Sequence, residues 1–372
     1  MKKRSNISQL VFIVIISILL SGCLKGEQTL GEMDSEVEND PDELNEAETI
    51  DDPTEKESDS EEIEDTEGEK GEIVGVNVDE LVDRQLYLID SDGMVVPQTL
   101  SIPADDSKAV AKQVLTYLIK DGPVTELLPN GFQAVLPANT EILGLNLLED
   151  GTLIVDVSED FKNYEADEEL SIIQAMTHTL TQFDNIDRLQ LRINGEDQSE
   201  MPVNGTPISE GYSQNNGINL MIEEQPDLLH SKAVTVFYPK RHNSNIYFVP
   251  MTQYIKDLEG NLYDTIVQAL IDGPSHNVQA LQVFNDGTSL VNKPTLNDGV
   301  LQLEFNENIL KEVEKSIISD EVMETLARTF TIQDDIDAID VKVENKDVIM
   351  NENGNAYNKP VMAKHFEQAD EI

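Results

Sequence analysis

Apolar residues fall into three regimes along this chain. Leu10 to Leu20 is an unbroken apolar run behind the basic start Met1-Lys2-Lys3-Arg4. From Lys25 to about Glu72 large apolar residues are sparse and acids cluster, as in Asp59-Ser60-Glu61-Glu62 and Glu64-Asp65. Beyond that the apolar residues return with two periods, alternating as in half-buried strands or spaced by three and four as in helices.

The third regime predicts a definite order of elements. Gln85 to Ile89 and Met94 to Leu100 read as strands joined by a turn at Asp92-Gly93. A helix follows from about Ser107, capped by Asp106 or Ser107, with Val110, Val114, Leu115 and Leu118 on one face. Gly122-Pro123 ends it, because Gly tolerates left-handed torsions and Pro cannot continue a helix. Ile142 to Leu148 and Thr152 to Val157 flank Glu149-Asp150-Gly151, a hairpin signal. A second helix is expected from about Glu168 to Phe183, with Leu170, Ile173, Met176 or Thr177, and Leu180 at helical spacing. Asp184-Asn185 breaks it, and Ile186 to Ile193 alternates as a strand.

The same order recurs further on. Tyr117-Leu118-Ile119-Lys120-Asp121-Gly122-Pro123 returns as Ala269-Leu270-Ile271-Asp272-Gly273-Pro274. Asp150-Gly151-Thr152-Leu153-Ile154-Val155-Asp156-Val157 returns as Asp298-Gly299-Val300-Leu301-Gln302-Leu303-Glu304-Phe305. Thr179-Leu180-Thr181, Asp184, Ile186-Asp187 and Leu189 return as Thr329-Phe330-Thr331, Asp334, Ile336-Asp337 and Ile339. Three matches in one order at nearly one offset indicate two copies of one domain. In the second copy the first helix is expected at Leu262 to Ile271 behind Asn261, the last helix at about Asp320 to Phe330, and the closing strand at Ile336 to Val343. The predicted fold is α+β: two tandem β-β-α-β-β-α-β modules, each a mixed sheet with its helices on one face. Between them Asn204 to His230 is rich in Gly, Asn, Ser and Pro and reads mainly as a linker, with one candidate strand at Ile218 to Ile222.

Composition changes the picture mainly at the amino end. The single cysteine, Cys23, closes Leu20-Ser21-Gly22-Cys23, where small residues give a signal peptidase room behind the apolar run. A permanent spanning helix needs about 20 apolar residues, more than Leu10 to Leu20 offers. The expectation is an exported lipoprotein: Leu20, Ser21 and Gly22 are the recognition residues, and the mature chain starts at a diacylglyceryl, palmitoylated Cys23 on the outer face of the cell membrane. With that thiol acylated none remains for a disulfide, a zinc cluster or a cysteine nucleophile. The acidic stretch cannot bury enough apolar surface to offset ordering, and its charges repel one another, so it reads as an extended tether. The expected boundaries are 1–22 for the signal peptide, 23–80 for the lipidated cysteine and tether, 81–203 for the first module, 204–232 for the linker, 233–350 for the second module and 351–372 for a tail. A formal charge of -48, from 73 acidic and 25 basic side chains, opposes nucleic acid and anionic lipid surfaces as partners. The absence of tryptophan leaves few stacking surfaces for sugars or bases.

No known catalytic motif emerges. A Gly-x-Ser-x-Gly elbow, a His-Glu-x-x-His pair and a phosphate loop are missing, and His178, His230, His242, His276 and His365 lie at no metal-like spacing. His178 reads as a side chain on a helix flank. Asp156, Glu159 and Asp160 are the densest carboxylate group within a module; a wall hydrolase would need such a pair about 5–9 Å apart, but the three read as strand and turn residues. Asp90-Ser91-Asp92-Gly93 reads as a turn rather than half a calcium loop, for want of a Glu in register. Thr177, Thr179 and Thr181, with Asn185, form the recurring polar set near the end of a helix, and a structural role in back-bonding or packing is expected. No catalytic, cofactor or metal residue is assigned.

Ile119-Lys120-Asp121-Gly122-Pro123, Leu136-Pro137, Val155-Asp156-Val157-Ser158-Glu159-Asp160-Phe161 and Thr179-Leu180-Thr181-Gln182-Phe183 together resemble the GerMN domain. The first copy fits more fully; the second has Asn306 in place of Ser158 and no counterpart of Leu136-Pro137. The resemblance implies a protein of spore formation or germination, in the space between mother cell and forespore. It further implies a scaffold or localisation factor for an envelope protein complex, not an enzyme. The alternative is a peptidoglycan- or solute-binding envelope lipoprotein.

Overall fold

The computed structural model describes residues 81–104, 110–221, 230–256, 262–274 and 278–366. Cys23, the signal residues Leu20, Ser21 and Gly22, the acidic tether and the two cap residues Asp106 and Ser107 lie outside them. In the first module the elements are β1 (Leu81–Asp90), β2 (Val95–Pro103), α1 (Val110–Thr116), β3 (Phe132–Gln133), β4 (Ile142–Leu147), β5 (Thr152–Val157), α2 (Glu169–Leu180), β6 (Arg188–Ile193) and β7 (Glu196–Asp197). The second contains β8 (Ser231–His242), β9 (Asn245–Lys256), α3 (Leu262–Asp272), β10 (Thr295–Asn297), β11 (Val300–Phe305), β12 (Leu310–Glu312), β13 (Ile317–Ile318), α4 (Asp320–Thr331) and β14 (Ala338–Val343). The fold is α+β, as the periodicity predicts, with four α-helices and mixed sheets among the described residues.

Each module is built on one parallel pair. β5 and β6 run parallel from Thr152↔Arg188 to Val157↔Ile193, and β11 and β14 from Val300↔Ala338 to Phe305↔Val343. Antiparallel β4 and β10 complete these sheets on one side. The first hairpin of each module forms its own ladder, β1 with β2 and β8 with β9. The repeated Asp-Gly and Ile-Asp dipeptides meet in space. Asp187 N–H donates to Gly151 O (2.8 Å) and Asp337 N–H to Gly299 O (2.7 Å). At both glycines a Cβ would collide with the facing aspartate carboxylate, and both have positive φ, 77° and 76°. Glycine is therefore required there twice over.

α2 touches α1, β1, β2 and β6, and every residue from Ile172 to Leu180 is buried. Leu170, expected on its apolar face, is 45% exposed in the first turn; a helix covered all round has no single packing face. The recurring threonines tie helix to hairpin. Tyr87 N–H donates to Thr179 Oγ1 and Phe237 N–H to Thr329 Oγ1, both at 3.0 Å. Thr181 and Thr331 instead back-bond to Thr177 O and Ala327 O, both at 2.8 Å.

Two parts differ from expectation. Ile222 lies outside the described residues, and Ile218 to Met221 is not a strand: Asn219 adopts φ 46°, which breaks an extended run, and Met221 forms an isolated bridge, to Gln253. The β12–β13 hairpin of the second module was not foreseen. It follows the short 3₁₀ turn that stands after the parallel strand in both modules, Glu159–Lys162 in the first and Glu307–Ile309 in the second.

Candidate functional site

The hydrogen bonds from Tyr87 N–H to Thr179 and from Phe237 N–H to Thr329 fix the equivalence of the modules: Asp90 at the end of β1 corresponds to Lys240 in β8. These two residues meet. Lys240 Nζ lies 2.6 Å from Asp90 Oδ2 and 2.6 Å from Asp92 Oδ2, with side-chain exposures of 4% for Lys240 and 1% for Asp90. Tyr247 OH donates to the same Asp90 oxygen (3.0 Å), and Asp90 Oδ1 accepts Asp92 N–H and Met94 N–H (both 2.9 Å). Burial presses the Lys240 ammonium to lose its proton, but the hydrogen bonds and charges of Asp90 and Asp92 outweigh it and hold its pKa above the ordinary range. The turn expected at Asp90-Ser91-Asp92-Gly93 is present, and it also supplies the acceptor that joins the two modules.

Around this pair the seam is polar and specific. Phe132 meets the Tyr247 ring edge-on (centroids 5.1 Å), and β2 packs on β9. Asn219 Nδ2 donates to Val95 O (2.7 Å) and Pro250 O (2.8 Å), while Asn219 Oδ1 accepts Val95 N–H (2.9 Å). The linker thus pins equivalent strands of both modules together. Gly217 packs so closely on Thr252 that a Cβ would stand 3.1 Å from it. Because the contact is between equivalent positions, pairing two first modules would set Asp90 against Asp90, and two second modules Lys240 against Lys240. Opposite charges at one repeat position therefore select the mixed pair.

His178 lies beneath this seam, not on a helix flank. It is 4% exposed, because the linker residues up to Gly217 cover that side of α2, and its ring packs at a 40° tilt against Tyr87 (centroids 5.2 Å). Burial drops its pKa to about 4, opposed by a hydrogen bond with the Gly217 backbone. The equivalent residue of the second module is Arg328, paired with Glu324 (2.6 Å) and set over the Phe248 ring (5.3 Å). A neutral imidazole and a guanidinium thus occupy equivalent buried positions.

Of the carboxylates singled out in the sequence, Asp156 and Glu159 meet on the Asn194-Gly195 turn, where Glu159 Oε2 accepts from Asn194 Nδ2 (3.3 Å). Asp156 Oδ1 accepts Gly195 N–H (2.9 Å), Glu159 pairs with Lys162 (2.8 Å) and Asp160 holds Asn163 (3.3 Å). Each fixes a turn, and none lines a cavity of about 210 Å³ bounded by Ile89, Lys120, Gln133, Glu168 and Ile172. At that cavity Lys120 pairs with Glu168 (2.6 Å), whose carboxyl its hydrogen bond holds below the usual range. No group of three His, Cys, Asp or Glu residues among those described could hold a metal. No helix among them is long and apolar enough to cross a membrane. The sequence reading missed Asp90 and Lys240. The signal was available, since two apolar strands, Tyr87-Leu88-Ile89-Asp90 and Phe237-Tyr238-Pro239-Lys240, align with opposite charges at the last position.

The sequence and the fold have known relatives. The family model for Germane, described as sporulation and spore germination, matches residues 85–199 and again 235–349. The spore germination protein GerM of Bacillus subtilis (strain 168) is 42% identical over 299 residues, spanning 80% of this chain and 81% of that one. The solved tandem GerMN domains of the sporulation protein GerM from Bacillus subtilis superpose with a TM-score of 0.69 at 42% identity, covering 76% of this chain and 97% of theirs. Two domain matches in tandem, with a relative at this identity over most of the chain, place the protein: it belongs to the Germane family of sporulation and spore germination proteins.

Proposed function

We propose that the chain is a lipid-anchored scaffold of spore formation, held to the membrane at Cys23 and presenting two GerMN modules to an envelope protein complex between mother cell and forespore. One observation carries the reading. The buried groups that would attract attention as catalytic, Lys240, Asp90 and Tyr247, are spent on joining the modules into one unit. A joined pair offers a fixed surface on a long tether, which suits assembly rather than turnover. The work of Cys23 is then positional. Cys23→Ala is expected to reduce spore yield or germination as far as deletion does, and a transmembrane anchor ahead of the same tether to restore most of it. Full function from the unanchored, exported chain would overturn the anchor's part in this account.

A second reading, a peptidoglycan- or solute-binding lipoprotein, draws on the cavity at Lys120 and Glu168. It requires retention on purified peptidoglycan or a ligand-dependent rise in Tm. The scaffold reading expects neither.

A further inference from the structure

The first module leaves one sheet edge open. β4 is the outermost strand of the order β4-β5-β6-β7, and among the described residues neither a ladder nor an isolated bridge lies on its outer side. Its sequence, Ile142-Leu143-Gly144-Leu145-Asn146-Leu147 followed by Leu148, holds no charge and no proline. Leu143, Leu147 and Leu148 are 46%, 40% and 39% exposed. Leu148 N–H donates to Thr152 O (2.9 Å), and Asn146 lies opposite Ile154. Antiparallel alternation then turns the backbone groups of Asn146 and Leu148 toward β5 and those of Leu145 and Leu147 outward. Bare polar backbone framed by aliphatic side chains is a template for another strand, and folded proteins ordinarily blunt such edges with lysine, proline or short length.

The second module does blunt it. There β10 is only Thr295–Asn297, and Lys293-Pro294 stands directly before it. Proline has no N–H to offer an incoming strand. β4 is protected only at its start, where the register shifts between Ile142 and Gly144 and α1 lies in contact with the strand; Leu145 to Leu147 is its regular stretch and carries no such device.

The occupant follows from the charges at the ends. Glu141 stands before β4 and Glu149-Asp150 after it, all exposed. Antiparallel pairing of β4 with its own copy about Leu145 would set Glu141 of each chain opposite Glu149 of the other, a like-charge pairing that destabilises a sheet. A partner strand with alternating aliphatic residues and Lys or Arg at its ends meets the apolar middle and both acidic ends.

We propose that β4 is a strand-addition site, taking an extended, basic-flanked aliphatic segment of a partner protein. It rests on the scaffold reading for the partner's being an envelope protein, and its test separates the two. A photo-crosslinking amino acid replaces Leu143 in the full-length anchored chain in sporulating cells, and crosslinked partner residues are mapped by mass spectrometry. The expected product joins position 143 to such a segment of an envelope protein. Its yield falls at least tenfold in Leu147→Pro, which removes an outward N–H, and in Leu147→Glu, which keeps the backbone and adds like charge. Purified variants should melt within a few degrees of the parent, since the backbone of Leu147 does not pair with β5. Crosslinks from position 143 only to a second copy, or yields unchanged in both variants, would overturn the proposal. If position 143 captures nothing while chemical crosslinking of the same cells joins the chain to envelope proteins, the edge is excluded and the scaffold reading stands. If neither method captures an envelope protein, both fall.

Discussion

Lys240→Met is expected to destabilise the folded tandem by about 3–5 kcal/mol, the range for removing one partner of a buried ion pair. Asp90 is left as a buried carboxylate with hydrogen bonds from Asp92 N–H, Met94 N–H and Tyr247 OH but no opposing charge within the seam. Asp90→Asn should cost a similar amount, by stranding the ammonium with only the half-exposed Asp92. The double change Asp90→Asn with Lys240→Met removes both charges and should be milder than the sum of the singles by about 2 kcal/mol or more. Denaturant unfolding of the four proteins measures this coupling. Additive costs would mean that the pair does not join the modules. A separate measurement, on isolated first modules, tests the selection of the mixed pair. With Asp90 neutral in each copy, isolated first modules lose the repulsion that keeps them from pairing, so Asp90→Asn should raise their self-association in sedimentation.

Glu169→Ala is the second large effect, at about 3 kcal/mol or more, from the loss of several hydrogen bonds to one buried charged group. Glu169 is 0% exposed. It accepts from Tyr164 OH (2.9 Å), Val203 N–H (3.0 Å), Asn204 N–H (2.6 Å), Thr206 N–H (2.9 Å) and Thr206 Oγ1–H (2.7 Å). It therefore nails the start of the linker to the first turn of α2. Burial alone would raise its pKa, but these bonds to the charged form outweigh burial and lower it. A carboxyl whose native pKa lies below its unfolded value stabilises fully above the unfolded value, about 4.3, and loses that contribution as pH falls through the native one. Glu169→Gln should accordingly flatten the acid side of the stability profile below about pH 4.5, whereas Glu159→Gln, on an exposed pair with Lys162, should shift stability by less than about 1 kcal/mol. An unchanged acid profile in Glu169→Gln would show that the carboxylate is not the hub.

The α+β class and the main strands and helices were legible because strand alternation and helix spacing survive in both copies, whereas the short strands β3, β7, β12 and β13 were not. The internal repeat carried more. Asp150-Gly151 and Ile186-Asp187, read as separate matches, form one contact, and so do Asp298-Gly299 and Ile336-Asp337. The recurring threonines were legible as structural, though not as the acceptors for Tyr87 and Phe237. What stayed hidden depends on distant parts of the chain. His178 resembles a flank residue until the linker closes over α2, and Asn219 resembles linker until Val95 and Pro250 surround it. Asp90 was legible as a turn former through one oxygen; the role of its second oxygen needed the other module. Low apolar content makes a segment look like a loose connector, yet a few well-placed amides were enough to pin this one.

The account rests on the tandem's acting through protein partners rather than on a substrate. The direct measurement is in vivo crosslinking and pull-down of the anchored chain from sporulating cells. It is run beside Lys240→Met, with abundance matched. The account predicts that the parent recovers a defined set of envelope proteins and that the seam variant recovers several-fold less. Recovery of no envelope protein above background by the parent chain would contradict it.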